Sequence, residues 1–337
     1  MNVKEYSYRK GKYSFSILNL GCAVTSICTP DRDGNIANVT LPYKGVAENP
    51  EILTGSDKFL GLTVGRFANR IGGATFTVDG KTYKFEPNDN GRNLLHSGPG
   101  GIWKRIWNVK HMDDGFLCSI KVSEEDDGFP GTADIRVRFS LSEDGVFRIH
   151  YSATCTEPCP LNLTNHTYFN LTGDPSKDIL SHRAVIDSHN VLGMDEAQIP
   201  DGSTIPVAGT AWDFTTERAF GEKIDAPELA PANGYDHAYI IDRADGPGRG
   251  FTRFARIYEP VSGRVLQAYT DLPAFHLYTG NYLDGGNGYE RRHGFCLESE
   301  FYPDCVNHPD SPPCIVGPGE LFESTTVYHF YTDRKEV

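Results

Sequence analysis

Apolar and polar side chains alternate through the stretch PLNLTNHTYFNL, Pro160 to Leu171, where Leu161 and Leu163 interleave with Asn162 and Thr164. That period of two is the signature of a half-buried strand. The spacing predicts a strand that ends at the rim of a sheet, with Asn165, His166, Thr167 and Tyr168 offering an amide, an imidazole, a hydroxyl and a phenol to one small volume. His166 is then either a core histidine whose tautomer Asn165 fixes or a group that does chemistry, and this segment alone does not separate the two. A second alternation, in GFCLESEFYPDCVNHP from Gly294 to Pro309, sets Phe295 and Leu297 against Cys296 and Glu298. Glu298 and Glu300 therefore share one strand face, with Cα atoms roughly 6.6 Å apart. A lone strand glutamate is ordinarily a solvated surface group, but apolar and aromatic neighbours on both sides predict partial burial here. Burial raises a carboxyl pKa and makes the group a usable base near neutrality.

Short runs of Val, Ile, Thr, Tyr and Phe bounded by turn residues recur along the whole chain, as in RFANRIGGATFTVDGKTYKF from Arg66 to Phe85. With 35 Gly and 21 Pro among 337 residues there is punctuation for many strands. The pattern predicts an all-β chain, one antiparallel domain over residues 1–337 made of two packed sheets. Helical spacing is confined to short pieces such as the acidic, proline-broken run from Glu217 to Ala232. Tyr13 to Ile27 alternates and reads as a first strand pair, although Lys4, Arg9, Lys10 and Lys12 before it loosely imitate a secretory start.

Charge narrows the partners. A formal net charge of -13, with Lys and Arg scattered, repels phosphate backbones and anionic lipid. There is no apolar run of membrane-spanning length, so a soluble protein is expected. Eight cysteines at irregular spacing lack both a disulfide framework and paired CxxC metal spacing, which fits reduced thiols in a cytoplasm.

Further candidates follow in chain order. GLTVGRFANRI, Gly61 to Ile71, presents Asn69 and Arg70 side by side, an amide and a fork of donors suited to a polyhydroxylated or anionic ligand. NLLHSGPGG, Asn93 to Gly101, puts His96 at the head of a glycine-rich loop that lacks the GK[ST] of a phosphate loop. GPGRG, Gly246 to Gly250, reads as a hairpin tip. In GYDHAYII, Asp236 opens a strand as a natural acceptor for sugar hydroxyls, or merely ends a turn. His276 and Tyr278 in FHLYTGN share a strand face. With no HExxH or HxH cluster, His182 and His189 reading as an ordinary loop pair, and no GxSxG elbow, neither a metal nor a serine nucleophile is expected. What remains is a cofactor-free, metal-free pocket of histidines, carboxylates, an arginine and an amide, suited to acid/base chemistry on a neutral polyol.

These residues resemble a known family, the aldose 1-epimerases or galactose mutarotases. The similarity runs through GRFANRI, NLLHSG, the DGFPG turn at Asp127 to Gly131, PLNLTNHTYFNLTG, the YDH of Tyr235 to His237, YTGNYLDG and LESEFYPDCVNHP, in the family's order. The resemblance implies a β-supersandwich of large, twisted antiparallel sheets. It implies His166 as general acid and Glu298 as general base, with Asn69, Arg70, His96 and Asp236 holding a monosaccharide, no cofactor, and a monomer or weak homodimer. Two positions depart from the family pattern: His276 and Glu300 stand where amide side chains are usual. His276, a further candidate for binding the sugar, and Glu300 are expected to form a pair, with Glu300 and Tyr168 supporting the site from behind. The leading expectation is interconversion of the α and β anomers of a free hexose such as galactose or glucose. A hexose 6-phosphate epimerase, which needs extra cations at the rim, and a non-catalytic sugar-binding module are the alternatives.

Overall fold

The computed structural model describes residues 2–243 and 250–333, so the predicted hairpin tip at Gly246 to Gly250 lies almost wholly outside the described residues. Among those residues the largest sheet has nine strands. In spatial order they are Asn108–Met112, Gly115–Val122, Ala133–Leu141, Val146–Cys155, Phe322–Thr332, Arg264–Thr270, Thr252–Tyr258, Arg183–Ile186 and Arg218–Ala219. Every pairing is antiparallel. Ala133–Leu141 alternates buried and outward residues along its length, as a sheet with one face on the core requires. The predicted first strand pair is present as Tyr13–Leu18 and Val24–Pro30, in a four-stranded sheet. The run from Glu217 to Ala232 holds the edge strand Arg218–Ala219 and, as helix, only the short 3₁₀ turns Phe220–Glu222 and Pro227–Ala232, the second interrupted by Pro227 and Pro231, which withhold backbone donors.

A five-stranded sheet carries the functional face: Pro200–Pro206, Asn190–Met194, Asp236–Ile240, Ala274–Tyr278 and Cys296–Glu300, in that order. Its last three strands are read across by register. Asp236 lies opposite Tyr278, which lies opposite Cys296; Ala238 opposite His276, which lies opposite Glu298; Ala274 opposite Glu300. Paired residues in an antiparallel ladder share a face, so the polar side chains gather on one side. The other side sends Tyr239, Phe275, Leu277 and Leu297 into the main apolar core. There Phe275 stacks on Tyr239 (centroids 5.2 Å apart) and packs on Phe254 (4.4 Å). Each such fully buried side chain contributes about 1.5–3 kcal/mol, and together they fix the register that aims the polar face.

One expectation fails here. Asn162 and Thr164 are as buried as Leu161 and Leu163, and regular pairing shrinks to Thr164–Asn165 against Thr63–Val64. The segment is covered on both sides, and the Asn162 amide is satisfied internally, donating to the Ala68 carbonyl (3.3 Å) and accepting from Phe301 N–H (2.9 Å). His182 and His189 are not a pair of ordinary loop residues either. His182 is fully buried and accepts the Leu171 N–H (2.9 Å), whereas His189 is exposed against Asp242.

The GRFANRI and DGFPG motifs meet at Arg66. Its guanidinium has no exposed surface and donates to Asp127 Oδ2 (2.8 Å), to the carbonyls of Pro130 (2.8 Å), Val122 (2.9 Å) and Gly131 (3.1 Å), and to Cys159 Sγ (3.5 Å). This clamp pins the segment that presents Asn69 and Arg70. Asp127→Ala strands a buried guanidinium without its carboxylate and is expected to cost about 3–5 kcal/mol. Urea denaturation reads this as a lower midpoint with an unchanged slope.

Candidate active site

The five-stranded sheet supplies Asp236, His276, Glu298 and Glu300; three irregular segments laid over it supply the rest. Asn69 and His96 both adopt left-handed backbone, φ +61° and +51°, at a cost of about 1–2 kcal/mol per residue. Reciprocal hydrogen bonds hold them there: His96 N–H donates to the Asn69 carbonyl (3.0 Å) and Asn69 N–H to His96 Nδ1 (3.1 Å). His96 Nδ1 is thereby an acceptor, and its ring proton belongs on Nε2. His166 follows directly after Thr164–Asn165. Its ring lies between Phe59 (centroids 5.8 Å) and Tyr168 (5.1 Å), both nearly parallel to it, with His96 edge-on at 5.4 Å. The Tyr168 hydroxyl donates to the Lys58 carbonyl (2.9 Å), which secures the sandwich.

These groups line one cavity of about 560 Å³, in the size range of small-molecule sites. Asn69, Arg70, His96, His166, Asp236, His276 and Glu298, all picked out from the sequence, are on its wall, and so is Tyr168, which was expected behind it. Glu300 is the one candidate that is not: it has no exposed surface and sits behind the wall. Phe59, Asp89 and Tyr282 are lining residues that sequence reasoning missed. Asp89 matters most, because its carboxylate accepts from Arg70 Nε (3.0 Å) and neutralises that cation.

Glu298 Oε1 lies 3.6 Å from His166 Nε2. Burial, then the charges of Glu300 and Asp236, push the Glu298 carboxyl well above its usual range. Burial drives His166 down to about 4, against the pull of its own carbonyl. Burial thus favours the neutral form of both groups, with the pair's proton on the carboxyl rather than on the imidazole. The opposite arrangement, carboxylate and imidazolium, contains the same one proton and carries the same total charge. It is reached by a shift across 3.6 Å rather than by uptake from solvent. His96 is held neutral by burial, with His166, Arg70 and His276 adding to the effect.

His276 bridges to both sides. Its Nε2 lies 2.6 Å from Asp236 Oδ1, and its Nδ1 lies 3.6 Å from Glu300 Oε1. His276 and Glu300 are thus on the same side of the sheet and adjacent. Burial raises Asp236, but the His276 hydrogen bond and the proximity of His276, Arg70 and His237 outweigh it and leave the carboxyl below its usual range. His166, Cys296 and Glu298 each offer a metal-ligand atom within 4.8 Å of the others. However, Cys296 Sγ sits at His166 Nδ1 (3.5 Å) and Glu298 at Nε2, opposite edges of one ring, which is not the convergent geometry of a metal site.

Residues 4–329 match the family described as aldose 1-epimerase. The galactose mutarotase of Bos taurus is 36% identical over 335 residues, covering 97% of this chain and 94% of that protein. The aldose 1-epimerase of Escherichia coli K12 is 36% identical over 327 residues, covering 94% and 92%. Among solved structures, an aldose epimerase homologue from C. elegans superposes with a TM-score of 0.88 at 27% identity, covering 98% of this chain and 99% of that one. A galactose 1-epimerase from Lactobacillus acidophilus shares the fold, with a TM-score of 0.80 at 22% identity over 98% and 99% of the chains.

Proposed function

The chain belongs to the aldose 1-epimerase family and interconverts the α and β anomers of a hexose, and we propose that Glu298 and His166 carry the two proton transfers on a free sugar, galactose or glucose. The observation that carries this assignment is the buried carboxyl–imidazole pair at 3.6 Å on the wall of a sugar-sized cavity. Glu298 takes the proton from the C1 hydroxyl while His166 gives one to the ring oxygen, and the hemiacetal opens to an aldehyde. Rotation about C1–C2 presents the other carbonyl face, and the reverse transfers close the opposite anomer. No bond to the protein forms, and the pair ends each cycle with the proton it began with. Concerted acid and base contribute on the order of 10²-fold or more each.

The remaining wall holds the sugar. His96 offers its Nε2–H, Asp236 its second carboxylate oxygen, and Arg70 the guanidinium nitrogens not spent on Asp89. Asn69 and His276 set the orientation of these groups. We also read residues 1–337 as a single domain, since Phe322–Thr332, close to the C-terminus, occupies the middle of the nine-stranded sheet.

Cavity charge argues against a sugar phosphate. Its carboxyl groups are those of Asp57, Asp89, Glu196, Asp236 and Glu298, and its two cations are already paired: Arg70 with Asp89, and Lys58 with Asp57 (3.1 Å) and Asp284 (3.4 Å). NMR exchange between anomers across a panel of aldoses is expected to show acceleration for neutral hexoses, with hexose 6-phosphates at least tenfold poorer in kcat/KM. Equal or better turnover of the phosphates would overturn this choice, and tight sugar binding with no exchange would mark a binding module instead.

A further inference from the structure

Glu300 is a carboxyl group with no exposed surface, no place on the cavity wall, and one oxygen, Oε2, without a hydrogen-bond partner. Its other oxygen anchors a chain of hydrogen bonds that leads to the sugar face. The Asn69 amide is oriented by the Arg70 N–H, which donates to Asn69 Oδ1 (2.9 Å). Asn69 Nδ2 therefore points inward, donating one hydrogen to Glu300 Oε1 (3.0 Å) and the other to His276 Nδ1 (3.2 Å). With Nδ1 accepting, His276 keeps its proton on Nε2 and donates it to Asp236 Oδ1 (2.6 Å). Every hydrogen in this relay has a single assignment, and it leaves Asp236 as an acceptor toward the cavity. Glu300 is also two residues from Glu298 on the same strand face.

We propose that Glu300 is a positioning residue of the epimerase site: it fixes the hydrogen-bond polarity of the Asn69–His276–Asp236 wall and, by its charge, keeps the working proton on the Glu298–His166 pair. The proposal rests on the acid/base roles assigned above. Burial pushes Glu300 up to about 7, although His276, the Asn69 hydrogen bond and Arg70 pull it down. Asp236, His276, Arg70 and His166 are the other ionisable groups facing the two glutamates. The Cys296 and Cys305 thiols and the Tyr328 hydroxyl nearby are held neutral by burial. Below pH 7 Glu300 is protonated and adds no charge. Above it, the carboxylate opposes loss of the last proton from the pair and extends activity to higher pH.

The test is the pH profile of kcat/KM for Glu300→Gln beside the parent protein, measured by anomer exchange. The alkaline midpoint is expected to fall by roughly one pH unit, while the acid midpoint stays in place, and KM is expected to rise severalfold with kcat at pH 6 within tenfold of the parent. Coincident alkaline midpoints, or a folded variant inactive at every pH, would overturn the proposal. Should the variant not fold, ¹³C-carboxyl NMR of glutamates in the parent protein decides the same point. Two mutually dependent titrations support the coupling, and independent ones end it. A parent protein without exchange activity would sink the acid/base assignment, and the NMR titration would still report on the pair.

Discussion

Glu298→Gln is expected to abolish nearly all acceleration of mutarotation, lowering kcat by roughly 10³-fold or more, because a general base contributes about 10²–10⁴ and nothing else on the wall can replace it. The amide keeps the size of the side chain and its place opposite His276 on the ladder, so the cavity survives. What it loses is the ability to take the C1 hydroxyl proton. Asp236 cannot substitute, since one of its oxygens is committed to His276 and its carboxyl lies below the usual range, making it the weaker base. Glu300 is behind the wall. Sugar affinity is expected to change only a few-fold, so the loss falls on kcat. Turnover within tenfold of the parent would refute the assignment of Glu298 as base.

His166→Ala is expected to cost at least about 10²-fold in kcat, and by a different route. Without the imidazole the ring oxygen loses the group proposed to protonate it as it leaves. The substitution also leaves a slot between the Phe59 and Tyr168 rings, which lie 5.8 and 5.1 Å from the lost imidazole. Added imidazole is therefore expected to restore part of the activity, with saturation, in His166→Ala and not in Glu298→Gln. The same one-proton inventory predicts a bell-shaped profile for the parent. Its acid limb lies near the depressed His166 value of about 4, where the pair gains a second proton. Its alkaline limb lies where the raised Glu298 carboxyl gives up the last one.

The alternation of Phe295 to Glu298 was readable because a strand face repeats every second residue, and the structure keeps that face intact from Cys296 to Glu300. The strand through Asn162 was misread for a physical reason. Polarity predicts exposure only where the backbone leaves a side chain no internal partner, and here Ala68 and Phe301 supply two. Arg66 shows a related limit. Its partner Asp127 lies sixty-one positions away, and its importance follows from zero exposure, which no local pattern encodes. Asp89 escaped for the same reason, while Phe59 looked like any other core aromatic. That Glu300 lies behind the wall, bonded to Asn69 in its left-handed backbone, is a tertiary feature.

Freshly dissolved α-D-galactose, followed by polarimetry at neutral pH with micromolar protein, tests the central claim most directly. Ring opening between Glu298 and His166 predicts accelerated decay to the same equilibrium rotation as the uncatalysed reaction. It also predicts no change for methyl α-D-galactoside, which has no C1 hydroxyl proton to give. Unaccelerated decay of the free sugar, or rotation change with the methyl glycoside, would contradict it.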